Sequence, residues 1–178
     1  MKLEKIILSE NSFKSSEPYD IINSNITVVN LLREEGVEDE NINEDSLTSY
    51  YLDYYLAQCN NGNFSQFVWN TKWSPKLNDI IKKGLKQIGA NKHLDLFNLQ
   101  CFKVDNLTKE ELDSFLQGQY FGENSTRDML NNDLFYSLDE SIIDLNSKWL
   151  KNHPKLEVLT IENMFLELEK FIGRKIER

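Results

Sequence analysis

The residue types that most often carry chemistry are scarce in this chain of 178 residues. It has two histidines, His93 and His153, and two cysteines, Cys59 and Cys101. Neither histidine lies near a cysteine or carboxylate at the spacing of metal ligands, so we expect no metal site. The cysteines are far apart and form no C-x-x-C pair, which favours two reduced, buried thiols over a disulfide. A Cys-His dyad for nucleophilic catalysis is a second interpretation that the sequence leaves open.

Other catalytic and cofactor motifs are absent from the sequence. The chain contains no phosphate-binding loop, no G-x-G-x-x-G and no G-x-S-x-G. Asp139, Glu140 and Asp144 lie close together in sequence, but Asp139 and Glu140 are direct neighbours and would diverge on a helix. We therefore expect no enzymatic activity and no cofactor.

Charge is segregated along the chain, whose net charge is −9. Residues 34–53 contain eight acids and no base: Glu34, Glu35, Glu38, Asp39, Glu40, Glu44, Asp45 and Asp53. Residues 72–103 reverse the sign, with seven lysines against two aspartates. Residues 105–144 hold ten acids against two bases, and these acids include Glu110, Glu111, Asp113, Asp139 and Glu140. Because phosphates would repel such a chain, we expect no direct binding to nucleic acid.

Length and hydropathy indicate one domain in the cytoplasm. A chain of 178 residues with 40% hydrophobic residues buries roughly 70% of its unfolded surface, which is enough for one core. We therefore predict a single domain over residues 1–178. The first eight residues have only three consecutive apolar residues, so they lack the apolar centre of a signal peptide. No stretch approaches the roughly 18 apolar residues of a membrane span, and we expect no membrane contact.

Apolar spacing predicts an all-α fold of about seven helices. The predicted helices begin at Pro18, about 46, Ser74–Pro75, about 91, Thr108, Leu134 and Thr160, and the second and last are expected to end at about 60 and 173. Glycines stop three of them, at Gly36, Gly89 and Gly118, and Thr108 forms a capping box with the acidic residues after it. Residues 1–15 are expected to form a short strand or arm, and residues 37–45 and 119–132 to form loops.

A polar, turn-rich insert at residues 60–70 separates the tyrosine-rich second helix from the lysine-rich third. Gly62 and the asparagines before it are expected to end the helix, because both residue types tolerate the left-handed backbone. The motif residues are Asn61, Gly62, Phe64, Gln66 and Asn70. None of them titrates, which favours a structural corner over a ligand-binding or catalytic loop. The amides of Asn63, Gln66 and Asn70 are expected to bond backbone groups at the flanking helix ends.

This insert resembles the Asn-Gly-Gly-Phe-x-Gln-aromatic-x-x-Asn signature of the DMP19 family, which commonly has a second glycine where this chain has Asn63. Asparagine also accepts positive φ, so we expect the turn to be kept. Two weaker similarities follow in order, Ile88-Gly89-Ala90 and the run from Leu138-Asp139-Glu140 to His153-Pro154. Together they extend the resemblance over about residues 45–154. One member of the family is described as a DNA mimic, so the resemblance implies a non-enzymatic protein whose partner is itself a protein.

Two functional interpretations follow. In the first, which the resemblance implies, the acids of the two negative segments occupy the basic surface of a DNA-binding protein, such as a transcription regulator. A ten-base-pair turn of DNA carries about twenty phosphate charges. A chain with net charge −9 therefore needs either a homodimer or a fold that gathers both segments on one face. In the second, the chain is a helical immunity or adaptor module that binds a partner of another kind through aromatic or leucine patches.

Overall fold

The computed structural model describes residues 2–177. Within this range the chain forms nine α-helices: α1 (Glu10–Lys14), α2 (Pro18–Glu34), α3 (Glu44–Thr71), α4 (Pro75–Ile88), α5 (Asn91–Asp105), α6 (Lys109–Gln117), α7 (Ser125–Leu130), α8 (Ile142–Lys151) and α9 (Ile161–Ile172). Two 3₁₀ helices, Asp39–Asn41 and Asp133–Ser137, and two strands, β1 (Ile6–Ser9) and β2 (Leu156–Leu159), complete the structure. The predicted all-α class is confirmed. Among the described residues, no helix combines the length and apolarity that a membrane crossing requires.

The contacts within the chain group it into two compact units. The first unit contains the residues up to Tyr50 and those from Ile143 onward, and the second contains Tyr51–Ile142. The single domain over residues 1–178 stays a prediction.

The first unit is built on a parallel pair of strands. β1 is buried along its whole length and pairs with β2 in a register that places Ile6 opposite Leu156. Ile6, Ile21 and Leu150 belong to one buried apolar cluster, so the strand pair and the helices that flank it share a core. Strand β1 confirms the expectation for the N-terminal residues. Strand β2 was not predicted, because its four residues, Leu-Glu-Val-Leu, are too short a run for their alternation to identify a strand.

The second unit has an aromatic core. The Tyr55 ring meets Phe67, Phe97 and Phe135 nearly edge-to-face, with ring centroids 5.4, 5.2 and 6.0 Å apart. Such pairs are favourable beyond the area that they bury. Tyr55 therefore holds α3, α5 and the second 3₁₀ helix together around one side chain.

Local capping signals predicted several helix ends correctly. The Ser74 hydroxyl accepts a hydrogen bond from the Leu77 backbone N–H at 3.4 Å, and Gly89 ends α4 in the left-handed conformation with φ of 81°. Thr108 and Glu111 form the predicted capping box of α6, and Thr160 caps α9. Each of these signals lies within three residues of the bond that it forms, which is why the sequence alone identifies them.

The structure corrects the two predicted loops. Residues 37–45 contain the first 3₁₀ helix and bury Ile42 and Asn43, so this segment is not a solvated loop. The Asn43 amide donates to the Glu4 carbonyl at 2.6 Å, and this contact between distant parts of the chain fixes the segment. Residues 119–132 include helix α7, whose first turn is capped by the Asn124 side chain on the Arg127 backbone N–H.

The predicted helix from Leu134 to before Pro154 is also wrong in its first half. The chain forms a 3₁₀ helix over Asp133–Ser137, leaves helical geometry, and resumes as α8 at Ile142. The reason lies in the residues between these helices. The Glu140 carboxylate accepts the backbone N–H groups of Lys92 at 2.8 Å and His93 at 3.2 Å, at the first turn of α5. Ala90 at the N-cap of α5 has no side-chain acceptor, so Glu140 satisfies donors that the local sequence leaves open.

Candidate functional site

The predicted acidic surface of the first unit is a segment held in place by two arginines. Exposure alternates over residues 34–40, so that the carboxylates of Glu34, Glu38 and Glu40 are exposed while Glu35 and Asp39 are half-buried. Arg33 holds Asp39 with two hydrogen bonds of 2.8 and 2.9 Å. Arg174 holds Glu35, with an ion pair of 2.8 Å to its carboxylate and a bond of 2.9 Å to its carbonyl. We call residues 34–40 the clamped acidic segment.

The three outward carboxylates of this segment are free to meet a partner. Glu34, Glu38 and Glu40 form no ion pair with any residue in the range 2–177. The Arg33 guanidinium also lies 4.5 Å from the centre of the Tyr50 ring, which adds a cation–π contact to its fork on Asp39. The clamps therefore use the inward acids to fix the backbone that carries the outward ones.

Further along the first unit, Glu44 and Asp45 begin α3. Glu44 is exposed, and the Asn43 side chain caps the helix by accepting the backbone N–H of Asp45 at 2.9 Å. The Asp45 carboxylate lies 3.2 Å from His153 Nε2, and His153 Nδ1 accepts the Lys155 backbone N–H at 3.2 Å. Because Nδ1 accepts, Nε2 carries the proton and donates to Asp45. Asp45 therefore anchors the turn before β2.

The predicted acids of the second unit have mixed roles. Glu110 is exposed on α6, and Asp53 and Asp113 are half-buried. The Glu111 carboxylate accepts the Thr108 backbone N–H and hydroxyl, both at 2.8 Å, and the backbone bond is the main cause that lowers its pKa. Asp139 forms an ion pair and hydrogen bond with Lys92, which lowers the pKa of Asp139 and raises that of Lys92.

Asp139 and Glu140 therefore act on the same helix end, because Glu140 caps α5 and Asp139 pairs with a residue of its first turn. Both carboxylates are therefore engaged in contacts within the chain, although the sequence predicted that they would bind a partner. Glu110, Glu111 and Asp113 lie together on α6, whereas Asp139 and Glu140 precede α8 and contact the first turn of α5.

The thiols and histidines have the surroundings of structural groups. Cys59 and Cys101 are free and buried, as the sequence predicted. Burial raises the pKa of the Cys59 thiol well above its usual range and that of Cys101 to about 12. Thiols in such surroundings are poor nucleophiles. Among residues 2–177, no group of three or more histidine, cysteine, aspartate or glutamate side chains has a geometry that could hold a metal ion.

The corner at residues 60–70 departs from the predicted geometry. Helix α3 is interrupted at Gly62 and Asn63 and resumes through Thr71, so residues 64–71 are helical and do not form the predicted turn-rich insert. Gly62 has φ of −154°, and Asn63 alone has positive φ, at 64° with ψ of −172°. This region of backbone space is essentially restricted to glycine, and other residues there carry strain of about 1–3 kcal/mol.

The Asn63 side chain stabilises this conformation. Its Oδ1 accepts the backbone N–H of Phe64 at 2.7 Å and that of Asn132 at 2.9 Å, and its Nδ2 donates to Asp133 at 3.2 Å. The predicted bond to a helix end is confirmed for Asn63. It is also the contact that joins the two halves of α3 to the second 3₁₀ helix.

The amides of Gln66 and Asn70 bond the side chain of Gln58 and not the backbone, which corrects that prediction. Gln66 Nε2 and Asn70 Nδ2 both donate to Gln58 Oε1, at 3.1 and 2.5 Å. A Cβ atom at position 62 would lie 2.1 Å from Gln66 Oε1 and 2.9 Å from Gln66 Cβ. Gly62 is therefore required for close approach, and the left-handed backbone is left to Asn63.

A pocket of about 520 Å³ opens beside this corner. The amides of Asn61, Gln66 and Asn70 line it together with Trp69, and residues 118–121 form the opposite wall. The Tyr120 hydroxyl fixes that wall to the corner by donating to the Gly62 carbonyl at 2.8 Å, and it lies 2.9 Å from the Ser65 hydroxyl. We call this the corner pocket. This pocket was not predicted from the sequence, because residues 119–132 were expected to form a polar loop; the signal that could have indicated it is the aromatic pair Tyr120 and Phe121 within that loop.

The corner also contains the motif that resembles the DMP19 family, and a comparison with family models tests whether the chain belongs to that family. Residues 40–153, which are 114 of the 178 residues, match the model described as DMP19-like protein. The chain belongs to the DMP19-like family. The match confirms the resemblance predicted over about residues 45–154. Searches of curated proteins and of solved structures find no match to the chain.

The matched range separates the two candidate surfaces of this DMP19-like protein. It contains the whole corner and both walls of the corner pocket. Of the clamped acidic segment, it contains only Glu40. The family match therefore covers the kinked helix and the corner pocket and leaves out most of the clamped acidic segment.

Proposed function

We propose that this DMP19-like protein binds another protein through its clamped acidic segment and acts as a DNA mimic on the basic surface of a DNA-binding protein. The observation that carries the proposal is the arginine-held geometry of residues 34–40, in a chain whose family includes a member described as a DNA mimic. An enzymatic role is not part of the proposal, because neither the thiols nor the paired carboxylates have surroundings suited to catalysis.

The fixed backbone of the segment favours binding. A disordered acidic tail must lose conformational freedom when it meets a partner, whereas a segment that is already ordered avoids that cost. Two arginines supply the order here through their bonds to the half-buried acids Glu35 and Asp39. The exposed charges of Glu34, Glu38 and Glu40 remain for the partner, as phosphates do along a strand of DNA.

The distribution of charge between the units supports the same assignment. The first unit has seventeen acids and eleven bases, for a net charge of −6, and the second has twelve acids and nine bases, for −3. The unit that contains the clamped acidic segment therefore carries two thirds of the excess charge. A homodimer would double the total to −18, which approaches the roughly twenty phosphates of one turn of DNA.

The experiment that tests the proposal is a binding assay with variants of equal charge. The immobilised intact protein is first incubated with a cell extract at low salt to capture its partners. A salt gradient followed by competition with DNA is expected to elute a DNA-binding protein. The combined variant E34Q/E38Q/E40Q is expected to weaken the purified complex strongly. The control E17Q/E123Q/E162Q removes three exposed acids elsewhere and the same net charge, and it should bind nearly as tightly as the unaltered protein.

The two variants separate a local surface from a general effect of net charge. Charge-built binding weakens as salt rises, because ions screen the attraction. Equal loss of binding in both variants would show that only total charge matters, and binding that resists salt and DNA would reject the mimic. In that case the helical interaction module becomes the better assignment, and the exposed aromatic residues beside the corner pocket favour it.

A further inference from the structure

The corner pocket has the composition of a ligand site, and the acidic surface makes no use of it. Its volume of about 520 Å³ lies within the roughly 300–1,000 Å³ of typical ligand pockets. Three aromatic side chains and several amides line it, and none of its lining residues is charged. We infer that the corner pocket binds an uncharged, proline-containing segment of a partner protein in the polyproline II conformation.

The aromatic side chains form one uneven apolar wall. The rings of Trp69 and Tyr120 have centroids 5.8 Å apart and planes at 57°, and those of Tyr120 and Phe121 are 5.4 Å apart at 86°. Rings at these separations contact each other, so a ligand packs against their exposed edges and faces and not between them. Proline-rich segments dock in aromatic-lined grooves, where their preformed backbone loses little conformational freedom.

One face of Trp69 is already covered. Lys72 Nζ lies 4.0 Å from the centre of the Trp69 ring and donates a hydrogen bond of 2.7 Å to the Leu116 carbonyl. This lysine is therefore engaged on its own side of the ring, and the lining offers no countercharge for a ligand. Because desolvation of an unpaired charge is costly, the part of the ligand that enters the pocket must be neutral.

The amides supply what a polyproline II backbone lacks. This conformation has no internal hydrogen bonds, so its carbonyl groups need external donors. Gln66 and Asn70 are held in position by Gln58. Asn61 and Gln119 line the pocket with side-chain amides that make no hydrogen bond within the described part of the chain. These two amides are placed to donate to the carbonyl groups of the bound segment.

The exposed wall of the pocket is ordered before any ligand arrives. Arg127 Nη1 donates to the carbonyls of Tyr120 at 3.1 Å and Gly122 at 2.8 Å, on both sides of Phe121. The Phe121 side chain is nevertheless 84% exposed. A large apolar side chain held in water on a fixed backbone is typical of a binding surface.

The test is a titration of the full-length protein with a blocked peptide of about ten prolines, followed by nuclear magnetic resonance of the tryptophan indole N–H groups. A blocked glycine-serine peptide of equal length serves as the negative probe. We expect a saturable shift of the Trp69 signal that does not depend on salt. F121S should weaken binding about tenfold or more, whereas F102S removes another exposed phenylalanine of the second unit, 66% exposed and outside the pocket, and should leave binding unchanged.

Several results would overturn this inference. One is the absence of saturable binding by the proline peptide, and another is equal binding by both peptides. A third is binding that F121S and F102S weaken to the same extent. Saturable binding of a neutral oligosaccharide in place of the proline peptide would assign the pocket to another ligand class. The variant E34Q/E38Q/E40Q should retain the proline peptide, so that failure of the mimic proposal and failure of this inference remain distinguishable.

Discussion

The clamped acidic segment and the corner pocket are two candidate binding surfaces that are held in place by different interactions. The segment uses charge: arginines neutralise its inward acids, and its outward acids stay in water. The corner uses a break in a helix, where Gly62 permits close approach and the Asn63 amide holds a strained backbone. Binding through the clamped acidic segment should therefore depend on ionic strength, whereas the shape of the corner depends on packing. Nearly all of the segment lies outside the family match, whereas the corner lies inside it.

This difference predicts where substitutions damage the fold. The corner shares hydrogen bonds with distant parts of the second unit, so changes there should reduce the free energy of unfolding. The clamped acidic segment lies at the surface, so changes there should alter binding more than stability.

The largest effect is expected at Asn63. N63A removes the acceptor of the Asn132 backbone N–H and keeps a non-glycine residue at φ of 64°. Loss of a buried acceptor costs about 1–3 kcal/mol, and we expect a decrease in the free energy of unfolding of about 2 kcal/mol. N63G loses the same bonds but relieves strain of about 1–3 kcal/mol, so its stability should stay within about 1 kcal/mol of the unaltered protein.

Urea denaturation of both variants measures this difference. The comparison also bears on the family signature, which commonly has glycine at this position. If N63A and N63G were equally destabilised, the backbone at residue 63 would carry no strain, and the Asn63 amide alone would account for the corner. A stable N63A would show that the bonds to residues 132 and 133 are unimportant.

The corner also shows which features the sequence can predict. The cap at Ser74 and the box at Thr108 satisfy donors a few residues away, and both were predicted from local residue types. A helix break near Gly62 was predicted as well, and so was the tolerance of positive φ at Asn63, where the family commonly has glycine. The bonds of Asn63 to residues 132 and 133 were not predicted, because those partners are distant in the chain.

Several features that the sequence did not predict depend on partners distant in the chain. Glu140 lies outside the helix predicted for it and caps α5 through the backbone N–H of His93, 47 residues away. Tyr120 forms the pocket wall because its hydroxyl reaches the Gly62 carbonyl, 58 residues away. Arg174 clamps Glu35 from the other end of the sequence. Periodicity and capping rules describe neighbours within a few residues and carry no information on such pairings.

An intermediate effect is expected for the arginine clamp. R33Q removes the two hydrogen bonds from the Arg33 guanidinium to the Asp39 carboxylate and makes the protein more negative by one charge. Net charge alone would then predict tighter binding to a basic partner. We expect weaker binding, because the segment loses its fixed backbone, together with a decrease of under about 1 kcal/mol in the free energy of unfolding.

The control for this prediction is K14Q, which makes the same change in charge at the exposed pair of Lys14 with Glu10. It should bind as tightly as the unaltered protein or slightly more tightly. Affinity measured at one salt concentration for the partner recovered with the intact protein distinguishes the two expectations. Tighter binding by both variants would mean that total charge governs the complex and that the clamp is irrelevant.

The smallest expected effect is on stability at low pH. It is tested by comparing Asp139 with Glu38, two carboxylates that were predicted to belong to the same acidic surface. The ion pair with Lys92 lowers the pKa of Asp139 from its ordinary value of 3.8. A carboxyl group with a lowered pKa in the folded state stabilises the protein above its ordinary pKa, and this contribution is lost as pH falls through the lowered value. D139N should therefore be less stable than the unaltered protein at pH 7, and this difference should shrink as pH falls below the ordinary value of 3.8 and be lost in strong acid. E38Q, at an exposed acid without an ion pair, should show no such difference at either pH, and urea midpoints at the two pH values compare the variants. A difference for D139N that persists in strong acid would assign its effect to packing and not to the ion pair with Lys92.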